Sequence, residues 1–169
     1  MSHPTDMMIN TPVVIGSHPE SPWLADCLRS IPSGREVRVH RTGGYEIAAL
    51  RTACRYYDRF VFLQDSTAVL HPDFWDIIDS TPPAWLFGGP PMYMGVYRRD
   101  DLEPAIEDAP AVMDKAWSIA WEGALPTRLN YPTLWPEVTD AVGRLEDRHG
   151  RSNLVLENRY LRKWKGTWT

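Results

Sequence analysis

A single α/β domain, with a mostly parallel sheet flanked by helices, is predicted for this 169-residue chain by three observations. Short β-branched or apolar runs stand at Thr11 to Ser17, Glu36 to His40 and Phe60 to Leu63. Between them, Trp23 to Ile31 and Tyr45 to Tyr57 carry apolar residues at helical spacing. Strand and helix alternating in this way build a parallel sheet with crossover helices, and the length suits one core.

Taken in order, TPVVIGS reads as a buried first strand that breaks at Gly16-Ser17. Ser21 is an N-cap candidate, Pro22 suits a first helical position and Pro32 stops that helix. EVRVH alternates as a second strand and closes on Thr42-Gly43-Gly44. The next helix puts Ile47, Leu50 and Cys54 on one face and delivers the chain into Phe60 to Leu63. Phe74 to Ile78 predicts a short helix and Thr81-Pro82-Pro83 a break. Trp85 to Phe87 and Met92 to Tyr97 predict two strands around Gly88-Gly89-Pro90-Pro91, antiparallel because no crossover fits between them. Asp101 to Ile106 and Val112 to Trp121 read as helices, Pro126 and Pro132 as loop, Glu137 to Arg148 as a helix, and Asn153 to Trp168 as a strand or extended arm. The expected division is a flexible N-terminus at 1–10, an α/β body at 11–143 and a basic arm at 144–169 packed on it.

Composition narrows the class. With 43% apolar and 24% charged residues the chain is that of a folded globular protein. No apolar run approaches the roughly 20 residues that span a bilayer. The start, MSHPTDMMIN, lacks a signal-peptide layout, so a cytoplasmic protein is expected. Cys27 and Cys54 stand far apart without metal or CxxC spacing and read as buried thiols. A net charge of -4 argues against a generally cationic nucleic-acid binder. The charge is uneven, however: from Arg144 to Thr169 seven Lys or Arg stand against three acids, a local +4. Such an arm either closes over a phosphorylated ligand or is a solvated helix face. There is no GxxxxGK[ST], GxGxxG, GxSxG or HExxH motif.

The chemistry centres on RFVFLQDSTAVLHPDF, residues 59–74. A buried strand ends there on Gln64-Asp65-Ser66-Thr67, and in an open α/β sheet the ligand crevice lies beyond the carboxyl ends of the strands. Ser17 and His18, after the first strand, reach the same crevice. The ungapped segment from Gly44 to Phe74, VVIGS followed by PWLADCLRSI, and Gly88-Gly89 to Gly95 followed by Arg98 and Leu102 together resemble the family 2 nucleotide-sugar glycosyltransferases, over about Thr11 to Leu134. The resemblance implies a Rossmann-like sheet of the A-type glycosyltransferase fold. It implies transfer of a sugar from a nucleotide-sugar donor to an acceptor hydroxyl on a glycan, protein or modified nucleic acid. Asp65 falls on the first acid of the family's DxD-type motif, whose carboxylates hold a divalent metal, Mn or Mg, against the sugar diphosphate.

Three departures qualify that pattern. Thr67 replaces the second acid, so Asp65 meets either a metal or ribose hydroxyls, with Ser66 beside it. Arg41-Thr42-Gly43-Gly44 stands where an acidic motif is expected. Ala49-Leu50 replaces an Arg-Asn pair, leaving Arg51 one step on and Glu46 as nucleotide-site candidates. An inverting transferase also needs a general base late in the domain; Glu122 fits, Asp114 is its rival, and a solvated turn is the plain alternative for Glu122. In the basic arm, Lys163 and Lys165 are candidate diphosphate clamps and His149 a second metal ligand beside Asp65. Trp164 and Trp168 either stack on a base or sugar or plug a core edge. The missing acids also admit another reading, an inactive module of this fold that binds a glycan or a protein partner.

Overall fold

Three parallel strands set the frame. β1 (Val13–Gly16) pairs in parallel with β2 (Val37–His40) on one side and with β3 (Arg59–Gln64) on the other. The computed structural model describes residues 10–41, 45–87, 92–111, 113–136, 139–146 and 152–165. The expectation for a flexible N-terminus therefore falls, apart from Asn10, outside the described residues, as do the turns at 42–44 and 88–91.

Beyond β3 the sheet continues through β6 (Gly95–Arg98), β5 (Ala84–Phe87) and β7 (Thr133–Trp135), giving the order β2-β1-β3-β6-β5-β7. β6 runs antiparallel to both its neighbours, and the other five strands share one direction. This is the mostly parallel α/β sheet that the alternating pattern predicts, with the expected antiparallel pairing of β5 and β6. Close pairing needs a bare backbone at Gly95, where a Cβ would lie 3.0 Å from the Ala84 carbonyl oxygen.

Two helical layers cover the sheet. α1 (Leu24–Arg29) and α3 (Asp73–Ser80) bury Leu24, Cys27, Phe74, Trp75 and Ile78 against Val13, Ile15, Val61 and Leu63. α2 (Tyr45–Tyr56), α4 (Arg99–Ala105) and α5 (Lys115–Arg128) pack on the other face, against Val14, Phe60 and Phe62. Consecutive β3 side chains thus enter opposite layers, and each fully buried aliphatic or aromatic group stabilises the fold by about 1.5–3 kcal/mol. Among the described residues no helix is long and apolar enough to cross a membrane.

A second sheet, ordered β4-β10-β9-β8, contains β4 (Thr67–Val69), β8 (Thr139–Glu146), β9 (Ser152–Glu157) and β10 (Leu161–Lys165). This corrects the helix expected over 137–148. Thr139 and Val142 are β-branched and Gly143 is a poor helix former, so antiparallel pairing with β9 prevails. Pro126 corrects the sequence reading in the other direction: α5 runs through it, carried by the burial of Trp121 and Leu125. The first helix begins at Leu24, with Trp23 at the N-cap position in place of Ser21.

Candidate functional site

The strand order reverses between β1 and β3. The chain leaves β1 for β2 on one side and returns to β3 on the other, with α1 and α2 on opposite faces of the sheet. At such a reversal the two crossovers diverge and open a cleft at the carboxyl ends of the strands. Ser17 and His18 follow β1 and Asp65 follows β3, so all three stand at that reversal.

The α1 side of the crevice carries an acid and a cation. The Asp65 backbone N–H donates to the Gly16 carbonyl at 3.1 Å, and the Asp65 Oδ2 accepts from the His18 N–H at 3.3 Å. Gly16 leaves room for the Phe62 ring, from which a Cβ there would lie 2.8 Å. Asp65 and Ser66 form the turn that carries the chain from β3 into β4, and both are 6% exposed. Lys163 of β10 stands in register with Thr67 of β4 and is 4% exposed. Its Nζ donates to Ser66 Oγ, and to the Trp164 carbonyl at 2.8 Å. The Cys27 thiol lies in the same field: burial first, then the Asp65 carboxylate, push it up to about 12, against the opposing pull of Lys163 and of a hydrogen bond from the Thr67 backbone.

The other side of β3 carries a second polar cluster. Glu46, in the first turn of α2, accepts from Gln64 Nε2 at 2.9 Å and from Ser118 Oγ of α5 at 3.1 Å. Tyr93 Oη donates to the Ser118 carbonyl. Burial raises the Tyr93 phenol well above its ordinary range, the Ser118 bond opposes that, and the carboxylates of Glu46 and Glu122 add to it. Glu122 is half-buried and lies one helical turn after Ser118, on the same side of α5. Among the described residues the non-glycine positions with positive φ are Tyr45, next to Glu46, Tyr93, within the cluster, and Met92, which precedes Tyr93. Such backbone costs of order 1–3 kcal/mol per residue and concentrates at functional sites.

Ser17, His18, Asp65, Ser66 and Lys163 thus gather at the ends of β1 and β3, and Glu46 bonds Ser118, one helical turn before Glu122. Arg51 does not join them: its guanidinium donates to the carbonyls of Ile106, Ala109 and Pro110 and fastens α2 to the loop after α4. Asp114, the rival base, is the N-cap of α5, its Oδ1 accepting from the Trp117 N–H at 2.8 Å. His149, Trp168 and the Lys165 side chain lie outside the described residues. Gln64, Ser118 and Tyr93 are the participants that sequence reasoning missed. A single serine inside the apolar run Trp117 to Trp121 is the signal that points to Ser118.

The described residues do not fit a divalent metal. Among them no group of three or more His, Cys, Asp or Glu is placed to hold one. Thr67 is fully buried and its hydroxyl is turned to the Met94 sulfur at 3.3 Å, so it offers no ligand beside Asp65. An ammonium on the adjoining residue, Ser66, further disfavours a dication. Comparison with known proteins gives no match to a family model, to a curated protein or to a solved structure.

Proposed function

We propose that this protein is a cytoplasmic glycosyltransferase of the A-type fold, which moves a sugar from a nucleotide-sugar donor to the hydroxyl of a glycan, protein or modified nucleic acid. The observation that carries the reading is the pairing of two polar clusters across the end of β3. One holds a buried acid and a buried cation at the sheet reversal, and the other bonds Glu46 to Ser118, one helical turn before Glu122 on α5. In this reading the donor lies over the Asp65-Ser66 turn, with its ribose hydroxyls toward Asp65 and its diphosphate toward Lys163. Glu122 takes the proton of the acceptor hydroxyl as that oxygen attacks the sugar carbon, and the nucleoside diphosphate departs with the bonding electrons.

A second reading, an inactive module on the same fold that binds a glycan or protein, is favoured by the burial of Thr67 against Met94. Incubation with a panel of nucleotide sugars, scored for donor hydrolysis and for transfer to simple acceptors, separates the two. Turnover is expected with one donor, and Glu122→Gln is expected to lower it by about 10²–10⁴, the usual contribution of a positioned base. Absence of both hydrolysis and transfer with every donor refutes the transferase. Unchanged turnover in Glu122→Gln refutes the assignment of the base.

A further inference from the structure

Burying an ammonium is costly unless the fold supplies partners for it, and here it does so beside the Asp65-Ser66 turn. Lys163 is held by the register of β10 against β4, with the Trp164 N–H donating to the Ser66 carbonyl at 2.8 Å on the neighbouring rung. Because Ser66 Oγ accepts from Lys163 Nζ, the hydroxyl keeps its own hydrogen to donate. The His18 N–H at the end of β1 donates to Asp65 Oδ2 and so fixes the acid beside the turn. A fixed cation and a polarised hydroxyl are donors for an anion. The position where a second carboxylate would complete a metal site is filled by Thr67, which faces the core.

We infer that the diphosphate subsite is independent of divalent metal, and that Lys163, acting through and beside Ser66, supplies the positive charge that a metal ion would otherwise bring. This rests on the transferase reading and deepens it: the ligand class is a nucleoside diphosphate or its sugar ester, recognised by an ammonium and neutral donors. Asp65 is then left to the ribose hydroxyls, or to holding the turn through the His18 amide.

Calorimetric titration of the full chain with uridine diphosphate, guanosine diphosphate and inorganic pyrophosphate, in EDTA and again in manganese, tests this. At least one nucleoside diphosphate is expected to bind with affinities within about twofold in the two buffers. Lys163→Met is expected to weaken binding tenfold or more in both, with Lys163→Arg recovering part of the loss. The electron paramagnetic resonance spectrum of manganese should remain that of the free ion in the presence of protein. Binding that appears only with manganese, or a bound-manganese signal that Asp65→Asn removes, overturns this inference and leaves the transferase reading standing. No binding of any diphosphate in either buffer overturns both. If Lys163→Met does not fold, by circular dichroism, the EDTA comparison on the unmodified chain and Lys163→Arg still decide the matter.

Discussion

Asp79 and Asp65 stand at opposite ends of the parallel strands, both with little solvent exposure, in contrasting surroundings. At the amino-terminal end, Asp79 closes α3 onto the start of β1 and β2. It takes Arg35 Nη1 at 2.7 Å, Arg35 Nη2 at 2.8 Å and the Thr11 N–H at 2.8 Å. The Arg35 guanidinium also lies 4.5 Å over the Trp75 ring. At the carboxyl end, Asp65 Oδ2 accepts from the His18 amide at a long 3.3 Å, in a turn shared with a buried lysine. A two-pronged guanidinium grip fixes geometry and leaves a carboxylate little to offer a ligand. A long backbone bond holds a carboxylate in place while leaving it able to change partners. One acid ties layers together and the other is held by a single long bond.

The largest effect that sharpens this contrast is expected from Arg35→Ala. It strands the Asp79 carboxylate in a site where its side chain is 8% exposed, and losses from breaking a buried pair run to about 3–5 kcal/mol. Urea unfolding measures it, and a loss below about 1 kcal/mol would erase the distinction between the two ends. Acid supplies a milder version of the same break. Burial pushes the Asp79 carboxyl up, but the Arg35 and Thr11 bonds outweigh it and hold the group below its usual range. Its contribution is therefore complete above the unfolded carboxylate value of about 4, and is lost as pH falls through the lower folded value. Thermal unfolding between pH 6 and pH 2 should show stability declining below about pH 4, and Asp79→Asn should flatten that decline. The smallest effect belongs to the carboxyl end. Ser118→Ala removes one donor from Glu46 and should cost about 1 kcal/mol in stability, while turnover falls by a larger factor. If stability fell as far as in Arg35→Ala, the second cluster would be a structural brace like the first.

What was legible in the sequence follows the range of the forces involved. β1 and β3 announce themselves because burial on both faces demands β-branched and apolar runs, β2 because it alternates, and the helices between them because helical packing demands a 3.6-residue period. The short strands do not. β4 and β7 are three residues each, and β8 holds its place by pairing with β9 more than by local preference. The site divides along the same line. Asp65, Ser17 and His18 lie at strand ends, which are readable, whereas the place of Arg51 is not, because helical spacing does not say which neighbour a long side chain will meet. Lys163 is visible as part of a basic arm, but its place opposite Thr67 depends on the register of two strands far apart in the chain.

That separation bears on how the protein is made. Ser66 and Lys163 are 97 positions apart, so the acid is synthesised long before the cation that neighbours it. The three parallel strands rest on nearer contacts and are free to collapse first, with the β10 docking step coming late. A chain interrupted before residue 161 would keep the sheet reversal and the Asp65 turn, yet carry a crevice of the wrong charge. If the turn holds an anion as proposed, that competence would report that synthesis has run through β10.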